Sequence, residues 1–116
     1  MQTIRAEDMK SILTSDSRAT VINVLDKEDY RAKHIPGTIN IPVSSDSFVR
    51  DVENQIDSKG DPVVVYCANT ECNASDKAAE KLENAGFKDV RDFAAGVKGW
   101  EEARYQLEGA KAVAER

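Results

Sequence analysis

The sequence predicts an α/β fold, and three observations predict it. Short β-branched runs alternate with stretches of helical periodicity along the chain. Two of those runs, residues 19–25 and Val63–Tyr66, are almost continuously apolar, the pattern of strands buried on both faces. The third is length, since 116 residues supply one proper core with little room for a second. The chain is therefore read as one domain over 1–116, with its core at about 4–107 and a tail or helical extension at 108–116.

The elements follow in order. Ile4 precedes a helix with Met9, Ile12 and Leu13 on one face, closed by the turn formers Ser15, Asp16 and Ser17. Residues 19–25 form a buried strand, interrupted in polarity only by Thr20 and Asn23. A charged stretch, 26–33, leads to a turn at Ile35-Pro36-Gly37. A short strand, Thr38-Ile39-Asn40-Ile41, is stopped by Pro42. Ser44 and Ser45 offer caps to a helix whose apolar face is Phe48, Val49, Val52 and Ile56.

The breakers at 58–62 separate that helix from Val63–Tyr66, the clearest strand, which delivers Cys67 at its carboxyl end. A polar loop turns into a helix carrying Ala78, Ala79, Leu82 and Ala85 on one face, and Gly86 suits the left-handed residue after it. Residues 87–93 make a last short strand with Val90 and Phe93 apolar. Gly96-Val97-Lys98-Gly99-Trp100 leads into a final helix with Tyr105 and Leu107, and Trp100 anchors that helix in the core.

Composition narrows the function classes. The net charge of −5 argues against nucleic acid as a partner, because phosphate binding needs a basic surface. The longest apolar runs are too short for a membrane span. The opening Met1-Gln2-Thr3-Ile4-Arg5 has no apolar signal region, so a cytoplasmic location is expected. Two cysteines, Cys67 and Cys72, are too few for a disulfide scaffold, and one histidine leaves a closed zinc site short of ordinary ligands. No metal or cofactor is expected, and the sequence says nothing about oligomeric state.

The chemistry gathers at Cys67. Sites in open α/β sheets form outside the carboxyl ends of the strands. The helix after the loop would aim its free N–H groups and positive dipole end at Cys67, so its thiol pKa is expected to fall and its nucleophilicity to rise. Loop amides could hold a terminal anionic sulfur. The plain alternative is an inert cysteine packed as a small hydrophobe. Cys72 is either a resolving thiol for an oxidised or persulfidated Cys67 or a small loop residue without a role. The spacing is not that of a C-x-x-C redox motif. No arginine follows Cys67 before Arg91, which disfavours phosphoryl chemistry. His34, the only histidine, reads as tied to the backbone before its turn rather than as a base for Cys67.

These residues together resemble the single-domain rhodanese-like (sulfurtransferase) family. Val21-Ile22-Asn23-Val24, Asp29-Tyr30 and the run from His34 through Pro42 are similar to its first signature. Residues 63–67 are similar to its active-site strand, Ala78-Ala79 and Gly86-Phe87 to the helix behind the loop, and Gly96 through Trp100 to its last signature. The resemblance implies a five-stranded parallel sheet flanked by helices on both faces. It implies that Cys67 takes sulfane sulfur from a donor (thiosulfate, a low-molecular-weight persulfide or a donor protein). The sulfur is held as a persulfide cradled by the amides of Ala68, Asn69, Thr70, Glu71, Cys72 and Asn73, and passed to a thiophilic acceptor such as a thiol.

Three departures stand out. Cys72 occupies the position of the family's basic loop residue, and the matching serine, Ser75, comes late. Asn23 and Leu25 replace an Asp and an Arg, and Ala95 replaces the first of two glycines. With Glu71 in the loop instead of a cation, weak thiosulfate activity is expected. Two other readings stay open: a non-catalytic rhodanese-like module that binds a partner, and a thiol redox protein using Cys67 with Cys72.

Overall fold

The computed structural model describes residues 1–15 and 18–111. Its elements are β1 (Gln2–Thr3), α1 (Ala6–Thr14), β2 (Thr20–Asn23), α2 (Lys27–Ala32), β3 (Ile39–Asn40), α3 (Phe48–Glu53), β4 (Val63–Tyr66), α4 (Ala74–Asn84), β5 (Val90–Phe93) and α5 (Gly96–Glu102). The strands form one sheet in the order β1-β5-β4-β2-β3, and every pairing is parallel. The expected five-stranded parallel sheet is the one observed.

The central strand explains the architecture. Side chains alternate faces along a strand, so Val63, Val65 and Cys67 pack toward one side with Phe48, Val52, Ala78, Ala79 and Leu82 of α3 and α4. Val64 and Tyr66 pack toward the other with Met9 of α1 and Val97 and Trp100 of α5. All four residues of β4 are buried, as a doubly covered strand requires.

Several boundaries differ from the sequence reading. The two exposed residues of β1 carry no apolar signal, and they pair with β5 only because the chain enters along that edge. The 26–33 stretch contains α2, which buries no residue of its own; Tyr30 pins it by donating its hydroxyl to Thr38 O at 2.6 Å. The N-cap of α3 is Ser47, not Ser44 or Ser45, while Ser45 Oγ accepts from Ser47 N–H at 3.2 Å. Ser15 ends α1 by donating its N–H to Ser11 O; Asp16 and Ser17 lie outside the described residues. Gly86 takes the left-handed conformation after α4, at φ +96°.

The last helix contains the Gly-to-Trp segment rather than following it. It ends at Glu102, with Arg104 at φ +70°, so Tyr105 and Leu107 belong to the chain that folds back beneath Trp100. Trp100 Nε1–H donates to Gln106 O at 2.9 Å there, and the tryptophan is a core anchor as expected. Residues 108–111 are not a helical extension. Glu108 pairs with His34 in an antiparallel bridge, and the amides of Ala110 and Lys111 donate to Arg31 O and Ala32 O. Residues 112–116 lie outside the described residues.

Candidate active site

β4 carries Cys67 to the carboxyl edge of the sheet, and two helices close on it. The start of α5 holds the backbone: Val97 N–H donates to Cys67 O and Lys98 N–H to Ala68 O, each at 2.9 Å. This approach requires glycine at position 96. A Cβ there would overlap the Cys67 carbonyl, and its φ of +63° favours glycine independently.

The start of α4 faces the sulfurs. Cys67 is wholly buried, with Sγ 3.6 Å from Ser75 Oγ and 3.5 Å from the Cys72 carbonyl oxygen. The Cys72 thiol and the Ser75 amide also lie close enough to act on the acidity of Cys67. The amides of Ala74 and Ala68 act on the acidity of Cys72 instead. The start of α4 thus lies beside both sulfurs.

That division reverses one expectation. Burial, and then the hydrogen bond with Cys72, push the Cys67 thiol above its ordinary range, outweighing the stabilisation from Ser75. Cys72 is half-buried, and its partial burial acts upward too. The hydrogen bonds from Cys67, Ala74 and Ala68 outweigh that effect and bring Cys72 down. Of the two thiols, Cys72 is the one drawn toward the thiolate.

The loop is ordered by its own side chains. Asn69 Oδ1 accepts from the amides of Glu71 at 2.9 Å and Cys72 at 3.1 Å. Two of the six amides expected to cradle sulfur are thus engaged by Asn69. Beside the loop, Asn69, Thr70, Glu71, Ala95, Lys98, Gly99 and Glu102 line a cavity of about 210 Å³. Its two carboxylates face one ammonium. On the far side of Ala68 lies a cavity of about 380 Å³ bounded by Leu25, Asp29, Lys33, Lys98, Glu101 and Lys111, among others.

Asp92 is the residue that sequence reasoning missed. It sits on β5, 4% exposed, close enough to Ser75 for that side chain to act on its acidity; its Oδ1 has no hydrogen-bond partner among the described residues. Burial pushes its carboxyl above the usual range, and Asp76 adds to this. The only signal was an aspartate set between the apolar ends of a short strand, beside Arg91. His34 is held elsewhere. It stacks on Tyr30 with ring centroids 3.9 Å apart, its Nδ1 lies 2.7 Å from Tyr30 O, and its Nε2 lies 3.4 Å from Glu108.

Comparison with known proteins agrees with this fold. The family model for the rhodanese-like domain matches residues 5–103. The chain is 28% identical over 97 residues to the "Putative sulfur carrier protein YrkF" of Bacillus subtilis, covering 84% of this chain and 49% of that protein. It is 30% identical over 104 residues to the adenylyltransferase and sulfurtransferase UBA4 of Meyerozyma guilliermondii, covering 85% of this chain and 23% of that protein. The chain spans half or less of the length of these curated relatives. Among solved structures, the BH2092 protein of Bacillus halodurans superposes with a TM-score of 0.82 at 26% identity, covering 99% of this chain and 82% of that one. The thiosulfate sulfurtransferase of Pseudomonas aeruginosa gives 0.84 at 25% identity, covering 97% of this chain and 21% of that one. No helix among the described residues is long and apolar enough to cross a membrane. With the matching fold, the family model over most of its length and relatives named for sulfur transfer, the chain belongs to the rhodanese-like domain family.

Proposed function

We propose that the chain is a sulfurtransferase or persulfide carrier whose Cys67 attacks the outer sulfur of a donor and holds it as a persulfide. The observation that carries this reading is the placement of Cys67 at the carboxyl end of the central strand, within hydrogen-bonding reach of Ser75 at the start of α4. Attack by the Cys67 thiolate forms the new S–S bond, and the donor's thiol leaves with the electron pair. The hydroxyl of Ser75 then lies against the sulfur that carries the load.

The donor is a low-molecular-weight or protein persulfide in preference to thiosulfate. Thiosulfate is a dianion, and the cavity beside the loop presents Glu71 and Glu102 against Lys98. The acceptor is a thiol, and the site of action is cytoplasmic.

Complete burial of Cys67 favours a second reading, a rhodanese-like module that binds a partner without turnover, since a buried thiol raised by desolvation is a slow nucleophile. Intact-protein mass separates the two. Brief anaerobic exposure to glutathione persulfide followed by acid quench should add one sulfur atom, removable by dithiothreitol. Cys67→Ala should gain none, and thiosulfate should load more slowly. Loading that persists in Cys67→Ala overturns the assignment, and a reduced, folded wild-type protein that takes up no sulfur from either donor supports the binding module.

A further inference from the structure

The loop that turns into α4 sets a second cysteine, Cys72, against the thiol that would carry the sulfur. The two sulfurs are not equivalent in place. Cys67 lies at the bottom of the site, fully buried, with its Sγ 3.5 Å from the Cys72 main chain; Cys72 is half-buried in the loop above it. Partial burial opposes ionisation of Cys72, but the groups around it, Cys67, Ala74 and Ala68 among them, outweigh this and draw its thiol toward the thiolate.

We propose that Cys72 resolves a Cys67 persulfide, releasing hydrosulfide and leaving a Cys67–Cys72 disulfide, so that the chain reduces sulfane sulfur to sulfide. The inference rests on the reading of Cys67 as the sulfur-loaded residue. The Cys72 thiolate attacks Sγ of Cys67; the Cys67–Cys72 S–S bond forms, and the bond from Sγ to the terminal sulfur breaks. The terminal sulfur leaves with the electron pair as HS⁻. The sulfane sulfur is reduced, and the two cysteine sulfurs are oxidised to the disulfide. A dithiol reductant then returns both thiols, itself becoming a disulfide.

The choice of sulfur attacked follows from leaving groups. Attack on the terminal sulfur would expel the Cys67 thiolate into a site where burial disfavours its charge. Attack on Sγ expels hydrosulfide, a weak base small enough to reach water. The less basic thiolate leaves faster in thiol–disulfide exchange.

The test is one anaerobic turnover. Wild-type protein and Cys72→Ser are each loaded with a slight excess of glutathione persulfide and desalted. Intact mass and free sulfide, read by a fluorogenic probe, are then followed over time without added thiol. In the wild type, the gain of one sulfur should give way to a loss of two hydrogens as one sulfide appears per disulfide; peptide mapping should find Cys67 joined to Cys72. Cys72→Ser should load and keep its sulfur, with sulfide release lost. A wild-type persulfide as stable as that of Cys72→Ser, or a sulfur mapped to Cys72 with no sulfide, overturns the inference while leaving loading at Cys67 intact. Failure of Cys72→Ser to load, in a variant whose circular dichroism matches the wild type, overturns both.

Discussion

Removing one oxygen atom from Tyr66 tests how the strand that carries Cys67 is tied to the segment from His34 to Asn40. Tyr66 is fully buried, and its hydroxyl lies 2.8 Å from Thr38 Oγ1 and 3.1 Å from Ile35 N. Thr38 has one hydroxyl proton, which it gives to Ile35 O at 2.7 Å. Tyr66 therefore donates to Thr38 and accepts from the Ile35 amide. Burial pushes the phenol above its ordinary range, which keeps that proton in place. In Tyr66→Phe the Ile35 amide, on a fully buried residue, is left without its acceptor, at a cost of ~1–3 kcal/mol, and the bond to Thr38 forfeits ~1 kcal/mol more. The expected loss is about 2–4 kcal/mol, which for a domain of this size lowers the melting temperature by roughly 8–16 °C.

Urea titration followed through the fluorescence of Trp100, the single tryptophan, reads this as a lower midpoint at unchanged slope. Tyr66 points to the α1/α5 side and Cys67 to the α3/α4 side. Sulfur uptake per folded molecule should accordingly stay at the wild-type rate. A stability loss below about 0.5 kcal/mol would refute the claim that this hydroxyl satisfies a buried amide.

Two further predictions concern the neighbours of the site. A Cβ on Gly99 would collide with the Cβ of Ala95, so Gly99→Ala should cost roughly 1–3 kcal/mol, whereas the double variant Ala95→Gly/Gly99→Ala should recover most of it; additive penalties in urea titration would show that the contact is not the cause. Burial raises the Asp92 carboxyl, so its contribution to stability is full below the ordinary carboxylate range and is lost as pH rises through the raised folded value. The stability of Asp92→Asn relative to wild type should therefore climb from acid to neutral pH, and a gap independent of pH would rule out Asp92 as the titrating group.

The alternation of apolar runs and helical periods was enough to place the central strand, because burial on both faces leaves a run with no polar register, as in Val63–Tyr66. It was enough to put Cys67 at the carboxyl end of that strand, and to mark Gly86, whose φ of +96° is a local requirement. These are properties of neighbours in sequence. The resemblance to the family added the parallel order of the sheet. β1 escaped notice since two exposed residues acquire strand geometry only from β5 beside them. The fate of residues 108–111 depended on His34, Arg31 and Ala32, far away in the chain.

The acidity of the two thiols was beyond the sequence for the same reason. Nearness to a helix start argued for a lowered Cys67, and it lies within reach of that start. What decided the direction was the core of β2, β4, α3 and α4 packed around it, which removes the water a thiolate needs. The sequence by itself determined which residues could react and which strand presents them. Only the tertiary structure decided which thiol is raised and which is lowered, because desolvation and the polar groups around each sulfur are sums over residues that the chain brings together on folding.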